Sequence, residues 1–274
     1  PMSPEIQQRL GRVGSMLALR RTVATQAANL RYMAELSTRI VAPSQWVFDA
    51  LTCNGVPAHK IVQSQQAVDE SFAARGAARR DRARGANDPL RIGFVGRIVF
   101  EKGLHVLVKA LRRLPRDLPV RLLVAGRKSD PEYLAGIERE VAGDPRVEFF
   151  YDVEHEDLPE FLEKIDVLAV PSNYMETGPL VVCEAFAFGI PVLGADLGGI
   201  AERVRDGVDG MLLPFDDSGP WARAIVELTR DRGRLAALAA NASVRRTMTT
   251  VAEEMAALYR DVLDEAEAAK APPV

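Results

Sequence analysis

From about Pro89 to Ala240, short apolar runs alternate along the chain with segments whose apolar positions recur every three or four residues. Ile92–Val95 is a short apolar run ended by Gly96, and residues 104, 107, 108, 111 and 114 then mark a helix over Leu104–Leu114. The same alternation predicts strands at Val120–Ala125, Val147–Phe150, Val167–Val170, Pro191–Leu193 and Met211–Leu213. Helices are expected between them at Pro131–Val141, Leu158–Lys164, Pro179–Phe188 and around Ile200–Val204. Pro179 stands at the start of its helix and Gly189 just past the end, the usual asymmetry of helix termini. Strands that are apolar throughout, rather than on every second residue, are buried on both faces. The pattern therefore predicts an α/β domain, a doubly wound parallel sheet with flanking helices, over residues 89–240.

The flanks follow other rules. Residues 1–36 read as helical, Arg39–Ala42 as a small strand, and Gln45–Asn54 as a helix with Ser44 at its N-cap and Gly55 at its end. Residues 71–88 are rich in Arg, Ala and Gly without apolar periodicity, which predicts a flexible basic loop. Such a loop is either simply solvated or in contact with an anionic lipid or acceptor at a membrane surface. Residues 241–274 are expected to form one amphipathic helix, with apolar positions 244, 248, 251, 255, 258 and 262.

Composition narrows the function classes. The formal net charge of −3 argues against a dedicated nucleic-acid binder. No apolar run approaches the ~20 residues of a membrane-spanning helix, and the start lacks a basic-then-apolar leader. With only Cys53 and Cys183, the chain suits a reducing, cytoplasmic setting, and Cys183 reads as a small buried hydrophobe.

Ligands of open parallel sheets bind at the carboxyl ends of strands, where loops lead into helices. Three such loops carry unusual residues. Gly96-Arg97-Ile98-Val99-Phe100-Glu101-Lys102-Gly103 combines glycines, a helix start and two cations, which would suit a diphosphate; a pair of solvated surface cations fits equally. The Gly-x-x-x-x-Gly-Lys order of a P-loop is absent. The helix Pro179–Phe188 is apolar on every side except for Glu184. A buried carboxylate must meet a donor, so Glu184 is either half of a structural ion pair or a grip on ligand hydroxyls. Glu176, in Tyr174-Met175-Glu176-Thr177-Gly178, either complements the helix dipole or faces a ligand.

In order along the chain, Gly96-Arg97, Lys102-Gly103, Pro171-Ser172, Glu176 with Glu184, Gly189-Ile190-Pro191-Val192, Gly198-Gly199 with Glu202, and Asp206-Gly207 with Gly210 form an ordered set. From about Arg39 to Leu213 this set resembles the family-4 retaining glycosyltransferases. The resemblance implies the GT-B architecture, two Rossmann-like domains around one active site. Residues 89–240 would then be the nucleotide-sugar-binding domain, and residues 1–70 the remainder of an acceptor domain lying mostly upstream. It assigns catalytic roles to Arg97, Lys102 and Glu176. Arg97 and Lys102 would hold the diphosphate and Glu176 the donor sugar's hydroxyls. Gly96, Thr177, Gly178, Pro179 and Leu180 would line the donor, and Glu184 would accept from the ribose hydroxyls. A nucleotide-diphosphate sugar is the expected substrate, with no cofactor and no metal, since the cations and the helix start replace a divalent ion. The acceptor is left open among saccharide, lipid and small molecule. Self-association through an apolar patch is a further expectation, and an inactive nucleotide-sugar-binding module is the alternative reading. The chain departs from the family in Thr177-Gly178-Pro179, where the glycine has moved, and in Tyr151, where glycine is common.

Overall fold

The computed structural model of the chain describes residues 4–79 and 88–268. It divides into two compact units, residues 1–64 with 256–274, and residues 65–255.

The smaller unit holds helix α1 (Pro4–Leu36), strand β1 (Ile40–Ala42), helix α2 (Gln45–Cys53) and strand β2 (Ile61–Gln63). β1 and β2 pair in parallel, Ile40 opposite Ile61. Ala34, Ala42, Val56 and Ile61 are buried together, with Leu30, Ile40, Val47, Phe48 and Leu51 packed around them. Ser44 stands at the N-cap of α2 with extended backbone, but its side chain makes no capping hydrogen bond. Instead its carbonyl accepts from the Phe48 N–H. Arg39 pairs with Glu265 from the end of the chain.

The larger unit opens with helix α3 (Glu70–Arg79), followed by β3 (Leu90–Arg97), α4 (Leu104–Arg112), β4 (Val120–Arg127) and α5 (Pro131–Glu140). It continues through β5 (Val147–Tyr151), α6 (Leu158–Leu162), β6 (Val167–Val170), α7 (Leu180–Ala187), β7 (Val192–Ala195), α8 (Gly198–Arg203) and β8 (Gly210–Leu213). Helices α9 (Ser218–Arg230) and α10 (Arg232–Asn241) follow, and α11 (Met248–Ala268) begins in this unit, its residues from 256 onward belonging to the smaller one. The strands form one six-stranded sheet in the order β5-β4-β3-β6-β7-β8, every neighbouring pair parallel. All four residues of β6 and of β7 are buried, as their unbroken apolar sequence requires. α4 packs on α9, and α3 on α6 and α7. Trp221 of α9 is fully buried, its indole N–H donating 2.8 Å to the Pro214 carbonyl.

Three expectations need correction. Residues 70–79, most of them inside the expected flexible loop, form α3; only 80–87 of that stretch lie outside the described residues. Ala and Arg are strong helix formers, and Phe72 supplies the apolar contact that the periodicity concealed. The last helix begins at Met248 rather than near 242, because Thr247 bridges to Val68 and holds that stretch extended. α7 begins at Leu180, with Pro179 as its cap.

Candidate functional site

The strand order reverses between β3 and β6: β4 and β5 continue to one side, β7 and β8 to the other. At such a switch point adjacent loops leave in opposite directions and open a crevice at the carboxyl ends of the strands. The last residue of β3 is Arg97, and the loops that follow β3 and β6 carry Lys102, Glu176 and Thr177.

Gly103 shows how tightly these loops meet. Its backbone is left-handed, at φ 72°, and a Cβ there would lie 1.9 Å from the Pro171 carbonyl oxygen. No side chain fits, so glycine lets the loop leaving β3 lie against the end of β6. Asn173 ties the two further, its N–H donating 2.9 Å to the Glu101 carbonyl and its side-chain amide 3.2 Å to the Phe100 carbonyl.

That apposition brings Lys102 to Glu176 across 74 residues of sequence, Nζ to Oε1 at 2.5 Å. Glu176 is 6% exposed. Its Oε1 also accepts from the Ser172 hydroxyl at 2.8 Å, and its Oε2 from the Tyr174 hydroxyl at 3.1 Å. Burial, and then the neighbouring Glu176 charge, push the Tyr174 phenol upward. The Glu176 carbonyl accepts 2.7 Å from the Gly199 N–H, which fastens the start of α8 to the same place. Arg97 ends β3, exposed to solvent, and forms no ion pair with another described residue.

The start of α7 is enclosed from another direction. A Cβ on Gly178 would lie 2.8 Å from the Gln66 side-chain oxygen and 3.5 Å from the Arg203 guanidinium. Arg203 donates 3.1 Å to the Gln66 carbonyl and 2.8 Å to the Cys183 sulfur. Cys183 is thus half-buried beside a cation, against the expectation of a plain buried hydrophobe. Burial is the main force raising its thiol pKa. Cys183, Gln66 and Arg203 share a pocket of about 60 Å³ with Phe186 and Arg245. Arg245 in turn joins Arg205 on Asp209, which is completely buried.

Glu184, little more than one turn into α7 from Pro179, is 8% exposed, and its Oε1 lies 3.0 Å from Nε2 of His155. Burial raises the Glu184 pKa and the imidazole opposes the rise. Nothing in the spacing of the sequence pointed to His155; the fold brings it in from the loop between β5 and α6. Gln66 and Arg203 likewise have no signal in the sequence, since they meet across 137 residues, whereas Ser172 and Tyr174 stand in the Glu176 loop itself but without a role assigned from sequence. Among the described residues, no group of three or more His, Cys, Asp or Glu is arranged to hold a metal ion. No helix among them is long and apolar enough to cross a membrane.

Residues 78–245 match the family of glycosyl transferases group 1. The chain belongs to that family. It is 36% identical over 190 residues to a D-inositol 3-phosphate glycosyltransferase of Stackebrandtia nassauensis, covering 65% of this chain and 43% of that protein. It is 38% identical over 169 residues to the namesake of Nocardia farcinica, covering 59% of this chain and 37% of that protein. The chain thus spans less than half the length of these curated relatives. Among solved structures it is similar to an Anabaena protein, HepE, in complex with UDP and glucose, with TM-score 0.74 and 24% identity over 86% of this chain and 67% of that one. A sucrose-phosphate synthase from Thermosynechococcus elongatus superposes with TM-score 0.71 and 24% identity, over 87% of this chain and 62% of the other. The α/β fold with its six-stranded parallel sheet is therefore that of GT-B glycosyltransferases.

Proposed function

We propose that this chain provides the donor site of a retaining glycosyltransferase, which moves a sugar from a nucleoside diphosphate to an acceptor without a metal ion. The observation that carries the reading is the meeting of a cationic loop and a buried glutamate, Lys102 on Glu176, at the sheet's switch point. Such a pair offers two functions side by side, a cation for phosphate oxygens and an acceptor for sugar hydroxyls.

In this reading Arg97 and Lys102 take the diphosphate. The exposed guanidinium of Arg97 grips two oxygens at once, and Lys102 exchanges part of its contact with Glu176 for phosphate. Glu176 receives the sugar's hydroxyls, held in place by Ser172 and Tyr174. Gly96, Thr177, Gly178, Pro179 and Leu180 line the donor, and the N–H groups at the start of α7 add positive potential. When the bond between the anomeric carbon and the diphosphate breaks, negative charge gathers on the leaving nucleotide. Fixed cations already facing that position stabilise it without reorganising. Glu184 takes the ribose hydroxyls. HepE's complex with UDP and glucose supports a uridine donor, and the names of the curated relatives support a small phosphorylated polyol among the acceptors to be tried.

Calorimetry with UDP, GDP and ADP on the purified chain tests the reading. One of the three binds, and Arg97→Ala weakens it by about tenfold or more, the value of a charged hydrogen bond. Absence of binding by all three, or an Arg97→Ala variant that binds unchanged, overturns it.

A further inference from the structure

His155 has no part in the donor reading above, yet it is the one described side chain that meets the carboxylate of Glu184. It lies in the turn between β5 and α6, where Asp152 takes a left-handed backbone, φ 55°, and the His155 carbonyl accepts from the Leu158 N–H that begins α6. The imidazole is 72% exposed, but two contacts fix it. Nε2 stands 3.0 Å from Glu184 Oε1, and a ring face lies against Phe72, centroids 5.9 Å apart and tilted by 34°. Phe72 is 7% exposed and meets Phe188 edge-on, at 5.3 Å. Beneath it α3 lies so close to α7 that a Cβ on Gly76 would fall 2.3 Å from the Ala187 carbonyl oxygen. The imidazole is therefore held between a buried aromatic ring and a buried carboxylate, although most of its surface faces solvent.

A carboxylate has two oxygens and about four acceptor sites, so a donor on Oε1 leaves Oε2 available. Burial without a donor would favour the protonated acid, which is a poorer acceptor for a hydroxyl. We propose that His155 is the positioning residue of the ribose-binding glutamate: held against Phe72, its Nε2–H fixes Oε1 of Glu184, so that the carboxylate is oriented to accept from the donor's ribose hydroxyls. The inference rests on the reading of Glu184 as the ribose acceptor. His155 acts through Glu184 and need not touch the nucleotide.

The electrostatic surroundings are simple. On α7, the neighbouring Cys183 is held as a thiol by burial, and its charged influences are Arg203, Arg245 and Glu184 itself. On α3 and α6, Arg75 and Glu160 pair with each other at 3.8 Å. His155 alone lowers the Glu184 pKa against the burial that raises it.

The test compares whichever of UDP, GDP and ADP binds with its 2′-deoxy counterpart, by calorimetry, between about pH 5.5 and 8. The wild-type chain should prefer the ribonucleotide by about tenfold. His155→Phe keeps a ring against Phe72 and removes the donor; it should lose most of that preference while its melting temperature holds. His155→Gln restores an N–H and should recover part of it. In His155→Phe the pH below which the remaining preference disappears should move upward, because burial then acts on Glu184 unopposed. A merely structural histidine would alter melting and leave the ratio of ribo to deoxy affinity, and its pH profile, as in the wild type; that result overturns the inference. If Glu184→Gln abolishes the preference and His155→Phe does not, the glutamate's role stands and that of His155 falls. If no nucleotide binds the wild type, or Glu184→Gln leaves the preference intact, the donor reading itself fails and the inference with it.

Discussion

Arg97 and Lys102 bear the same charge on one loop, but their surroundings make opposite demands on a mutagenesis experiment. Arg97 is exposed and has no ion-pair partner among the described residues, so Arg97→Ala should cost binding while leaving the melting temperature within a degree or two. Arg97→Lys should restore only part of the affinity, since an ammonium cannot match two phosphate oxygens in one plane. Lys102 is the charged partner of a glutamate that is 6% exposed. Lys102→Ala should therefore destabilise the fold as well, by about 1–3 kcal/mol in a urea titration, as expected when a buried acceptor loses its donor. Ser172 and Tyr174 keep the loss from being larger. Glu184 gives a third pattern. Its pKa is raised by burial, so between the unfolded carboxyl's value and the folded one the native state binds the extra proton, and stability falls as pH rises through that window. Glu184→Gln removes the ionisation and keeps an acceptor for His155. At neutral pH it should melt no lower than the wild type while binding nucleotide about tenfold more weakly. A lower melting point with unchanged affinity would mark Glu184 as a structural residue only.

At the scale of elements, what was legible is what local pattern encodes. The strands of the sheet and helices α4 to α8 could be located from apolar periodicity, because each buries its own residues in a regular way. The three loops with unusual residues could be located too, because they sit where strands hand over to helices. Contacts between distant segments left no such trace. His155 stands 29 residues from Glu184 and Lys102 stands 74 from Glu176, and no spacing rule links either pair. α3 was misread for a related reason: its contact with α7 needs only Phe72 and the absence of a side chain at Gly76, too few residues to form a stripe. That contact is open to test. Gly76→Ala would raise helix propensity in isolation, yet here the new methyl meets backbone at 2.3 Å. The steric effect should prevail, lowering stability by about 1–3 kcal/mol, the usual cost of overpacking. A rise in the urea midpoint would show that α3 does not lie on α7.

At the scale of the molecule, the two units differ in the size of their cores. The larger is built around Phe94, Leu104, Ile165, Phe188, Trp221 and the fully buried strands β6 and β7. The smaller buries Ala34, Ala42, Val56 and Ile61 with a handful of partly covered neighbours. Apolar burial contributes ~25 cal/mol per Å², so amide protons of the smaller unit should exchange sooner than those of β3, β6 and β7. A ligand that binds the native state adds RT ln(1 + [L]/Kd), about 2.7 kcal/mol at a hundredfold excess over Kd. Every residue proposed to hold the donor lies within 65–255, so saturating nucleoside diphosphate should slow exchange in that unit and leave β1 and β2 unchanged. In the proposed reading Arg97, Lys102 and the start of α7 meet the charge on the diphosphate in place of a divalent ion, so EDTA should not alter the effect. Hydrogen exchange followed by mass spectrometry on the intact chain, with and without nucleotide and EDTA, separates the outcomes. Protection confined to residues 65–255 and insensitive to chelation supports the donor site as placed. Protection that vanishes with EDTA would mean that a metal ion carries the diphosphate. Protection appearing in β1 or β2 would mean that nucleotide is held by the smaller unit as well.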